Sequence, residues 1–598
     1  MEGMKQELER RYHNLFADYG LASPMDTGDI IPIIRRSLSA FLKDAKRPAI
    51  YCNGGHTKML MAGFMYELRN VKHIVDNYAP CAQEGGFALI RDDEIEAQGI
   101  DAIVLSSYKF RNDLKESLKK KHPHIPVLDI YDEFAKAGIL VETDYYYFSH
   151  PYQHYKRIND FQRQIREGAK ERTLKDLYLD LVTRYLHIKD FRTAIIKLNE
   201  WAALDGAAAE DITLAGRMRT DVEFLYELER EAAAQVSGDH VLMFCMDGLR
   251  QQDLSVEDMP KLKKMLDETS YQFTRAYSYS TSTYESLVAV YSGNSDFRTR
   301  NFEKNHVEAE DCSFASLALQ QGRQIHIYAD NARFLEGEGV RHKERFLTVT
   351  QKLWQFILDA LETERELFYI HELYESHFTF SNPYTEEKLM SEGTAMLFDF
   401  LPAKGGRLRA DYDRQHRDAI HYLDDVVTPL LRPLKCRMAI YADHGNLVLD
   451  YDSKLTDVGA LEYTCSEGWT RIPLALRAPE MAAGTDNRLI SLMELNKMME
   501  SLLTAKSYAA KDVGYIKIGR SQLYNPNFQV LYEMVGKGRQ LLAFECFLFV
   551  DGRRLIVYGD GAVELYDTAG NLIQDGKVQL AAQIEEDITV CDSRSLQL

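Results

Sequence analysis

The chain has 598 residues, a hydrophobic content of 45% and a formal net charge of −19 at pH 7. At about 100 to 200 residues per domain, this length predicts three or four structural units. The negative charge argues against a nucleic-acid partner, which needs clustered Lys and Arg. No run of about 18 apolar residues occurs and no apolar signal core opens the chain, so we expect a cytoplasmic protein without a membrane span. The eight cysteines are scattered and are expected to be reduced core residues.

The first quarter of the chain predicts a small α/β domain behind two helices. Residues 1–47 have two amphipathic helical patterns, and in residues 48–150 four short apolar runs alternate with helical segments, as in a Rossmann-like parallel sheet. Gly54 and Gly55 lie in the turn after the first run, and Asp76 ends the second. These residues could bind a nucleotide or sugar phosphate. The alternative is a tight strand-to-helix turn without a ligand, because the G-x-G-x-x-G fingerprint is absent.

Three further segments follow. Residues 151–236 are helical and polar, and part of them resembles one tetratricopeptide helix pair. One pair does not form a solenoid, so we predict a helical connector. Residues 237–515 alternate strands and helices and are expected to form a catalytic domain. Residues 516–598 predict an antiparallel subdomain, with hairpin turns at Asp551-Gly552 and Asp560-Gly561.

Polar side chains follow several apolar runs of the predicted catalytic domain. A buried strand at residues 241–246 ends in Asp247, and another ends in Asp443-His444-Gly445. Between them, the hydroxyl-rich segment 278–286 leads into an apolar helix, whose N–H groups and dipole would favour an anion. Ser376-His377 follows a further strand. Open α/β sheets bind ligands and metals at the carboxyl ends of their strands, so these side chains predict a site.

Four of these motifs, in order, resemble the alkaline phosphatase and sulfatase superfamily: Asp247, Thr281-Ser282-Thr283, Ser376-His377 and Ala442-Asp443-His444-Gly445. The nearest branch is that of the phosphoethanolamine and phosphoglycerol transferases, which includes lipoteichoic acid synthase-like enzymes. The resemblance covers roughly residues 238 to 590. It implies an α/β fold in which helices sandwich an alkaline-phosphatase-like sheet, with a small antiparallel sheet at the C-terminus. Familiar members of the branch are membrane-anchored, and this chain departs from them.

The resemblance also implies a metal site and a nucleophile. One divalent ion, Zn²⁺ or Mn²⁺, would be held by Asp247, Asp443 and His444, with Thr281 as fourth ligand and nucleophile. Counting back from the helix end, as in sulfatases, gives Thr283 instead, and both remain open, with Thr281 favoured. Neither position is Cys and C-x-P-x-R is missing, which disfavours a sulfatase.

Other polar residues are candidates for substrate contact. By resemblance, His377 would contact the substrate phosphate or the leaving oxygen, although it could equally be a surface histidine. His371, at a strand end, is either a substrate contact or a packed residue. Asp330 and Arg333 follow a strand and could contact substrate, with an ion pair as the alternative for Arg333. Two-metal members of the superfamily use a further histidine after the Asp-His-Gly strand end, but all seventeen histidines of this chain precede Gly445. The resemblance therefore implies a single-metal enzyme.

The function that these features predict is a soluble, metal-dependent phosphotransferase. It would move a phospho-alcohol group, of the phosphoethanolamine or phosphoglycerol type, through a phospho-threonine intermediate. The Rossmann-like segment suggests a glycan or nucleotide-sugar-linked acceptor. The first alternative is a phosphodiesterase or phosphonate ester hydrolase. The second is a non-catalytic binding or assembly module, and homo-oligomers are compatible with each.

Overall fold

The structure of the chain is a computed structural model. It describes residues 2–22, 30–54, 56–57, 60–61, 64, 66–78, 83–84, 87–137, 151–168, 173–204, 208–304, 306–330, 332–343, 346–377, 380–385, 406–446, 465–521 and 543–589. None of the helices in these ranges combines the length and the hydropathy that a bilayer crossing requires.

The N-terminal part has four helices among its described residues and a six-stranded sheet. Its elements are α1 (Glu2–Tyr19), α2 (Ile30–Leu42), β1 (Pro48–Tyr51), β2 (His73–Val75), β3 (Gln83–Glu84), β4 (Phe87–Ile90), β5 (Ala102–Leu105), α3 (Arg111–Lys121), β6 (Val127–Asp129) and α4 (Ile130–Lys136). The strand order is β3-β4-β2-β1-β5-β6, and only the β3–β4 pair is antiparallel. The parallel strands therefore have the Rossmann order, with the reversal between β1 and β5.

The helical connector consists of α5 (Pro151–Glu167), α6 (Leu174–His187), α7 (Phe191–Ala202) and α8 (Ala209–Gln235). Side chains cap two of these helices: Thr173 accepts the Asp176 N–H, and Asp190 accepts the Thr193 N–H. Helix α1 packs on this connector, whereas α2 packs against the small sheet. The two N-terminal helices thus belong to different cores.

A second sheet, of eight strands, lies at the centre of the catalytic part. Its strand order is β12-β10-β13-β7-β14-β15-β8-β16. The strands from β12 to β14 are parallel, while β15 is antiparallel to both neighbours. The strands are β7 (Val241–Met246), β8 (Tyr271–Tyr277), β10 (Ile325–Tyr328), β12 (Val340–His342), β13 (Leu367–Glu372), β14 (Arg437–Tyr441), β15 (Leu474–Arg477) and β16 (Gly484–Ser491), and β9 (Val307–Glu308) pairs separately with β11 (Leu335–Glu336).

Helices flank this sheet, so its central strands are buried. Every residue of β7 is buried, as a continuous apolar run predicts for a strand covered on both faces. The helices are α9 (Pro260–Thr269), α10 (Thr283–Ser292), α11 (Arg300–Lys304), α12 (Ser313–Gln320), α13 (Val349–Leu361), α14 (Gly406–Leu431), α15 (Glu467–Thr470) and α16 (Leu495–Leu503).

The chain continues into an antiparallel sheet in which consecutive strands pair. Its elements are β17 (Tyr515–Arg520), β18 (Phe544–Phe549), β19 (Arg554–Tyr558), β20 (Val563–Tyr566), β21 (Leu572–Ile573) and α17 (Lys577–Gln583). The predicted fold class is confirmed: a mainly parallel sheet between helices, a small antiparallel sheet after it, and a Rossmann-like sheet and a helical connector before it.

Asp424 on α14 connects two helices of the catalytic part and gives a test of this packing. Its carboxylate accepts the N–H groups of Leu262 (2.6 Å) and Lys261 (3.1 Å) in the first turn of α9. Because these N–H groups have no partner within the helix, Asp424→Ala should lower the free energy of unfolding by about 1–2 kcal/mol. Urea denaturation measures this loss. Glu257→Ala, at an exposed position, should change it by less than about 0.5 kcal/mol, and equal losses would contradict the capping role.

Candidate active site

Two buried carboxylates meet at the carboxyl ends of adjacent strands. Strands β7 and β14 are parallel and in register, so the residues that follow them, Asp247 and Asp443, lie side by side. Asp247 is 1% exposed and Asp443 is fully buried. The Gly248 N–H donates to Asp443 Oδ1 at 3.2 Å, and Gly248 has a φ of +73°, which suits a glycine. The turn after β7 therefore places one carboxylate against the other.

Three histidines surround Asp247. The Nε2 atom of His371 lies 2.9 Å from Asp247 Oδ2, and the Nε2 atoms of His444 and His377 lie 3.6 Å and 3.8 Å from Asp247 Oδ1. His444 Nε2 is also 3.4 Å from Asp443 Oδ2. The side chain of His377 is 38% exposed, whereas His371 is fully buried. Only His377 of these two is open to a substrate from solvent.

The proximity of these charges shifts their pKa values in opposite directions. Burial raises the pKa of Asp247, but the neighbouring His377 and His371 lower it well below its usual range. Burial and the charge of Asp247 raise the pKa of Asp443. Burial lowers the pKa of His444, but Asp443 and Asp247 outweigh it and raise that pKa. The two carboxylates thus favour the protonated form of the imidazole between them.

The cluster fits a divalent cation. Ligand atoms of Asp247, His377 and His444 lie within 4.8 Å of one another, and so do those of Cys245, His371 and Asp443. Asp443 Oδ2 accepts no hydrogen bond from any described residue, although the side chain is fully buried. Two carboxylates with imidazole nitrogens form a mixed O/N donor set of the kind that binds Zn²⁺ or Mn²⁺.

The structure brings the three predicted ligands, Asp247, Asp443 and His444, together and adds two histidines to them. The sequence predicts a substrate contact for His377 and either a substrate contact or a packed position for His371, so it does not predict their proximity to the carboxylates. His371 sits at the end of β13, which neighbours β7 in the sheet. The rule that ligands gather at carboxyl strand ends could have indicated His371.

The hydroxyl in contact with this cluster belongs to Thr283. Helix α10 begins at Thr283, and Ser282 is its N-cap with extended backbone angles. Thr283 Oγ1 lies 3.1 Å from His444 Nε2 and 3.2 Å from Asp247 Oδ2. The hydroxyl of Thr281 is buried and makes no hydrogen bond to a described residue. The geometry therefore favours Thr283, the alternative position for the nucleophile. Because α10 starts at Thr283, two residues after Thr281, it is the Thr283 hydroxyl that contacts the cluster.

Backbone contacts fix the loops that hold the site. A Cβ atom on Gly445 would lie 2.2 Å from the Gly468 carbonyl oxygen, so this position tolerates only glycine. The Asn446 side-chain amide donates to the carbonyl oxygens of Gly248 (2.5 Å) and Ser376 (3.2 Å). One amide therefore joins the loops that carry Asp247, His377 and His444.

Glu372, at the end of β13, organises the loop that carries His377. Its carboxylate accepts the N–H groups of Tyr374 (2.7 Å), Glu375 (2.6 Å) and Ser376 (3.1 Å). The Ser376 hydroxyl donates to the Asp247 carbonyl oxygen at 2.6 Å. The carboxylate thus curls the chain back toward the site.

The helical connector supports this loop from outside the catalytic part. The Tyr155 hydroxyl of α5 donates to the Glu375 carboxyl group, and both side chains are fully buried. One turn further along α5, the Asn159 amide donates to the Asn382 carbonyl oxygen at 2.9 Å. The connector and the loop of His377 therefore pack as one structure.

Asp330 and Arg333 occupy ion pairs. Lys352 Nζ lies 2.7 Å from Asp330 Oδ2, with the two side chains 1% and 0% exposed, and it also donates to the His371 carbonyl oxygen at 2.7 Å. Arg333 pairs with Glu336 at 2.9 Å. Asp330 therefore lies in the core rather than at an open surface. Through Lys352, it supports the end of the strand that carries His371. The ion-pair alternative for Arg333 is the arrangement observed.

The glycine turn of the N-terminal sheet is held by Asp76. Its carboxylate accepts the N–H groups of Asn53 (3.0 Å) and Tyr78 (2.7 Å). Gly54 is exposed, and Gly55 lies outside the described residues. Asp76 thus has a structural role in this turn, and nucleotide binding there stays a prediction.

Comparisons with known proteins were made at the level of family, sequence and structure. No family model matches the sequence, and no curated protein matches it. Phosphonate monoester hydrolase of Agrobacterium radiobacter is similar in structure, with 10% identity, a TM-score of 0.43, and coverage of 58% of this chain and 94% of that one. A protein in the alkaline phosphatase superfamily from Vibrio parahaemolyticus has 11% identity, a TM-score of 0.36, and coverage of 59% and 89%. The C-terminal periplasmic domain of EcEptC from Escherichia coli has 16% identity, a TM-score of 0.33, and coverage of 45% and 83%.

Glu285 connects the first turn of α10 with the C-terminal sheet. Its buried carboxyl group accepts the Ser280 hydroxyl at 2.7 Å and the Ser521 N–H at 2.9 Å. Burial raises its pKa to about 8 from an ordinary value of 4.5. The folded chain therefore holds a proton that the unfolded chain releases at lower pH.

This proton makes stability depend on pH. Between about pH 5 and pH 8 the folded state binds more protons at Glu285 than the unfolded state, so stability should fall as pH rises, by at most about 1.4 kcal/mol per pH unit. In Glu285→Gln this contribution is absent, so the variant should lose less stability than wild type between these pH values. Urea midpoints at pH 5.5 and 8 measure the difference. The exposed control Glu310→Gln should follow wild type, and parallel curves for all three proteins would refute the assignment.

Proposed function

We propose that the chain is a metal-dependent enzyme of the alkaline phosphatase superfamily that acts on phosphoesters through a covalent phospho-threonine at Thr283. The observation that carries the proposal is the position of the Thr283 hydroxyl at the start of α10, 3.1 Å from His444 and 3.2 Å from Asp247. A hydroxyl among metal-ligand candidates and at a helix N-terminus is positioned to attack a bound phosphoryl group.

Asp247, Asp443 and His444 would hold the metal, with His377 and the Thr283 hydroxyl on its open side. A bound divalent cation supplies positive charge that lowers the pKa of a coordinated hydroxyl and offsets charge on phosphoryl oxygens. Zn²⁺ and Mn²⁺ are the proposed ions because the donors are carboxylate and imidazole groups.

In the proposed first step, Thr283 Oγ forms a bond to phosphorus while the bond from phosphorus to the leaving alcohol oxygen breaks. The proton of the Thr283 hydroxyl passes to the Asp247 carboxylate, which is in contact with it. The first N–H groups of α10 stabilise the phosphoryl oxygens, since they have no partners within the helix.

His377 is the proposed acid for the leaving oxygen. Its imidazole is partly exposed on the side of Asp247 where a substrate from solvent would enter. In the second step, an acceptor hydroxyl or water attacks phosphorus and His377 accepts its proton. The bond between phosphorus and Thr283 Oγ breaks, and Oγ takes back the proton that Asp247 received in the first step. This returns the enzyme to its starting state.

The transferred group is proposed to be a phospho-alcohol of the phosphoethanolamine or phosphoglycerol type, as the motif resemblance implies. The Rossmann-like sheet beside the catalytic part is consistent with a glycan or nucleotide-sugar-linked acceptor. In a plain hydrolase, water alone would complete the reaction. Adding glycerol to a turnover assay separates the two, because a transferase forms a new glycerol ester whereas a hydrolase gives the same products at the same ratio.

The nucleophile assignment can be tested with a bis-nitrophenyl phosphodiester and Mn²⁺ or Zn²⁺. Thr283→Ala should lower kcat/KM by about 10³-fold or more, because nucleophile removal leaves only the other catalytic groups. Thr283→Ser, which keeps a hydroxyl, should retain much of the activity. In wild type, mass spectrometry of acid-quenched enzyme should find the phosphoryl adduct on Thr283.

Thr281→Ala is the matched control, since it removes the nearby threonine hydroxyl that does not contact the cluster. Its kcat/KM should stay within a few-fold of wild type. A loss confined to Thr281→Ala, with the adduct on Thr281, would return the nucleophile to that residue. No metal bound and no turnover with either ion would favour the non-catalytic binding module.

Metal affinity should depend on pH because protons and the metal compete for His444. The carboxylates of Asp443 and Asp247 raise the pKa of His444, so more of this imidazole is protonated near pH 6 to 7 than for an ordinary histidine. The dissociation constant for Mn²⁺ should therefore fall as pH rises from 6 to 8, by at most about tenfold per unit and per proton released. Calorimetry of the chelator-treated protein measures the dissociation constant and the number of protons released on binding. Affinity that does not change over this range would contradict the role of His444, and His444→Gln should bind much more weakly.

A further inference from the structure

Two buried cysteines are in contact behind the candidate site. Cys465 Sγ and Cys546 Sγ lie 3.0 Å apart, and both residues are fully buried. A disulfide bond has a length of about 2.0 Å, so the two sulfurs need approach by only about 1 Å to be joined. The sequence predicts reduced core cysteines, because the eight cysteines are scattered along the chain.

The packing around the two cysteines holds their sulfur atoms in contact. Cys546 lies in the middle of β18, opposite Ile518 of β17 and Ile556 of β19. Cys465 immediately precedes Ser466 and α15, and both cysteines belong to the same apolar cluster. The sulfurs therefore face each other across the junction between the catalytic part and the C-terminal sheet.

Positive charges lie near Cys465. The guanidinium groups of Arg554 and Arg520 both interact electrostatically with Cys465, and Arg554 is also bound to Glu467 of α15. Neighbouring arginines stabilise a thiolate, which is the nucleophile in thiol–disulfide exchange. Burial and the proximity of Cys465 raise the pKa of Cys546. Arg554 also interacts with Cys546, so its positive charge lies near both sulfurs.

We propose that Cys465 and Cys546 form a disulfide when the chain meets a low-molecular-weight disulfide of the oxidised glutathione class. The Cys465 thiolate attacks one sulfur of that molecule and releases one small thiol. Cys546 then attacks Cys465 Sγ, which forms the intramolecular bond and releases the second small thiol. Two protein thiols are oxidised and one small disulfide is reduced to two thiols, so atoms and electrons balance.

The bond would fasten the segment that supports the candidate site. In α15, the Trp469 carbonyl oxygen accepts the Gly445 N–H at 2.8 Å, and the Thr470 carbonyl oxygen accepts the Ser278 N–H at 2.8 Å. These contacts support the turn after β14 and the hydroxyl-rich segment before α10. The cross-link would tie this support to β18 and restrict the unfolded chain over the intervening residues.

The test uses the purified full-length protein in glutathione buffers that range from reduced to oxidised, with urea below the unfolding transition so that buried thiols open locally. Samples are alkylated in denaturant, digested and examined by mass spectrometry. A peptide pair linked through Cys465 and Cys546 should become the main oxidised species. The melting temperature should rise with the fraction linked and return to its reduced value after a strong thiol reductant is added.

Cys465→Ala and Cys546→Ala should each lose the linked pair and the shift in melting temperature. Cys436→Ala is the matched control, since Cys436 is also a buried cysteine but belongs to a different apolar cluster, and it should keep both. Glutathione adducts on the half-buried Cys52 without a linked pair would show that the oxidant acted and would overturn the proposal. Linkage of other cysteines in place of this pair would overturn it as well.

Discussion

The burial of two carboxylates side by side is the constraint on which the catalytic part depends. Asp247 and Asp443 have exposures of 1% and 0%, and a pair of buried like charges is unfavourable unless positive charge lies beside it. The histidines provide part of that charge, and a divalent cation would provide the rest. The parallel pairing of β7 and β14 enforces the arrangement, because strands in register end at the same edge of the sheet.

The environment of this cluster is assembled from distant parts of the chain. Helix α10 brings the threonine, and β13 and the loop that follows it bring one histidine each. The connector supports this loop through Tyr155 and Asn159. Loss of packing in the connector would therefore reach the site without any change to a residue that touches substrate.

Much of this structure follows from local patterns in the sequence. The apolar run before Asp247 predicts β7 with its observed bounds, because a strand covered on both faces must be apolar throughout. The hairpin glycines predict the C-terminal sheet for an equally local reason: Gly552 and Gly561 have positive φ. The α/β class could be predicted in this way, whereas the three candidate metal ligands were implied only by the motif resemblance.

Other features depend on contacts that the sequence does not encode locally. Residues 281 to 283 all carry hydroxyl groups, and each could serve as the N-cap of α10. The sequence therefore does not decide at which residue the helix begins, and so it does not decide which threonine lies in the site. Asp330 follows a strand, as a ligand would, but Lys352 from a later helix reaches it in the core. Such tertiary partners decide roles that strand-end position alone cannot.

The packing of α1 has a consequence for how the chain divides into modules. Although α1 precedes the Rossmann-like sheet, Tyr12 packs on Phe191 of the connector and on Trp354 of α13, and its hydroxyl donates to the Leu186 carbonyl oxygen. The small sheet therefore lies, in sequence, between two segments that pack together: α1, which precedes it, and the connector, which follows it. A chain that began at residue 48 would keep every strand of the small sheet, but it would expose Phe191 and Trp354, the aromatic residues on which Tyr12 packs. The hydrophobic cores of this protein therefore do not correspond to contiguous segments of its sequence.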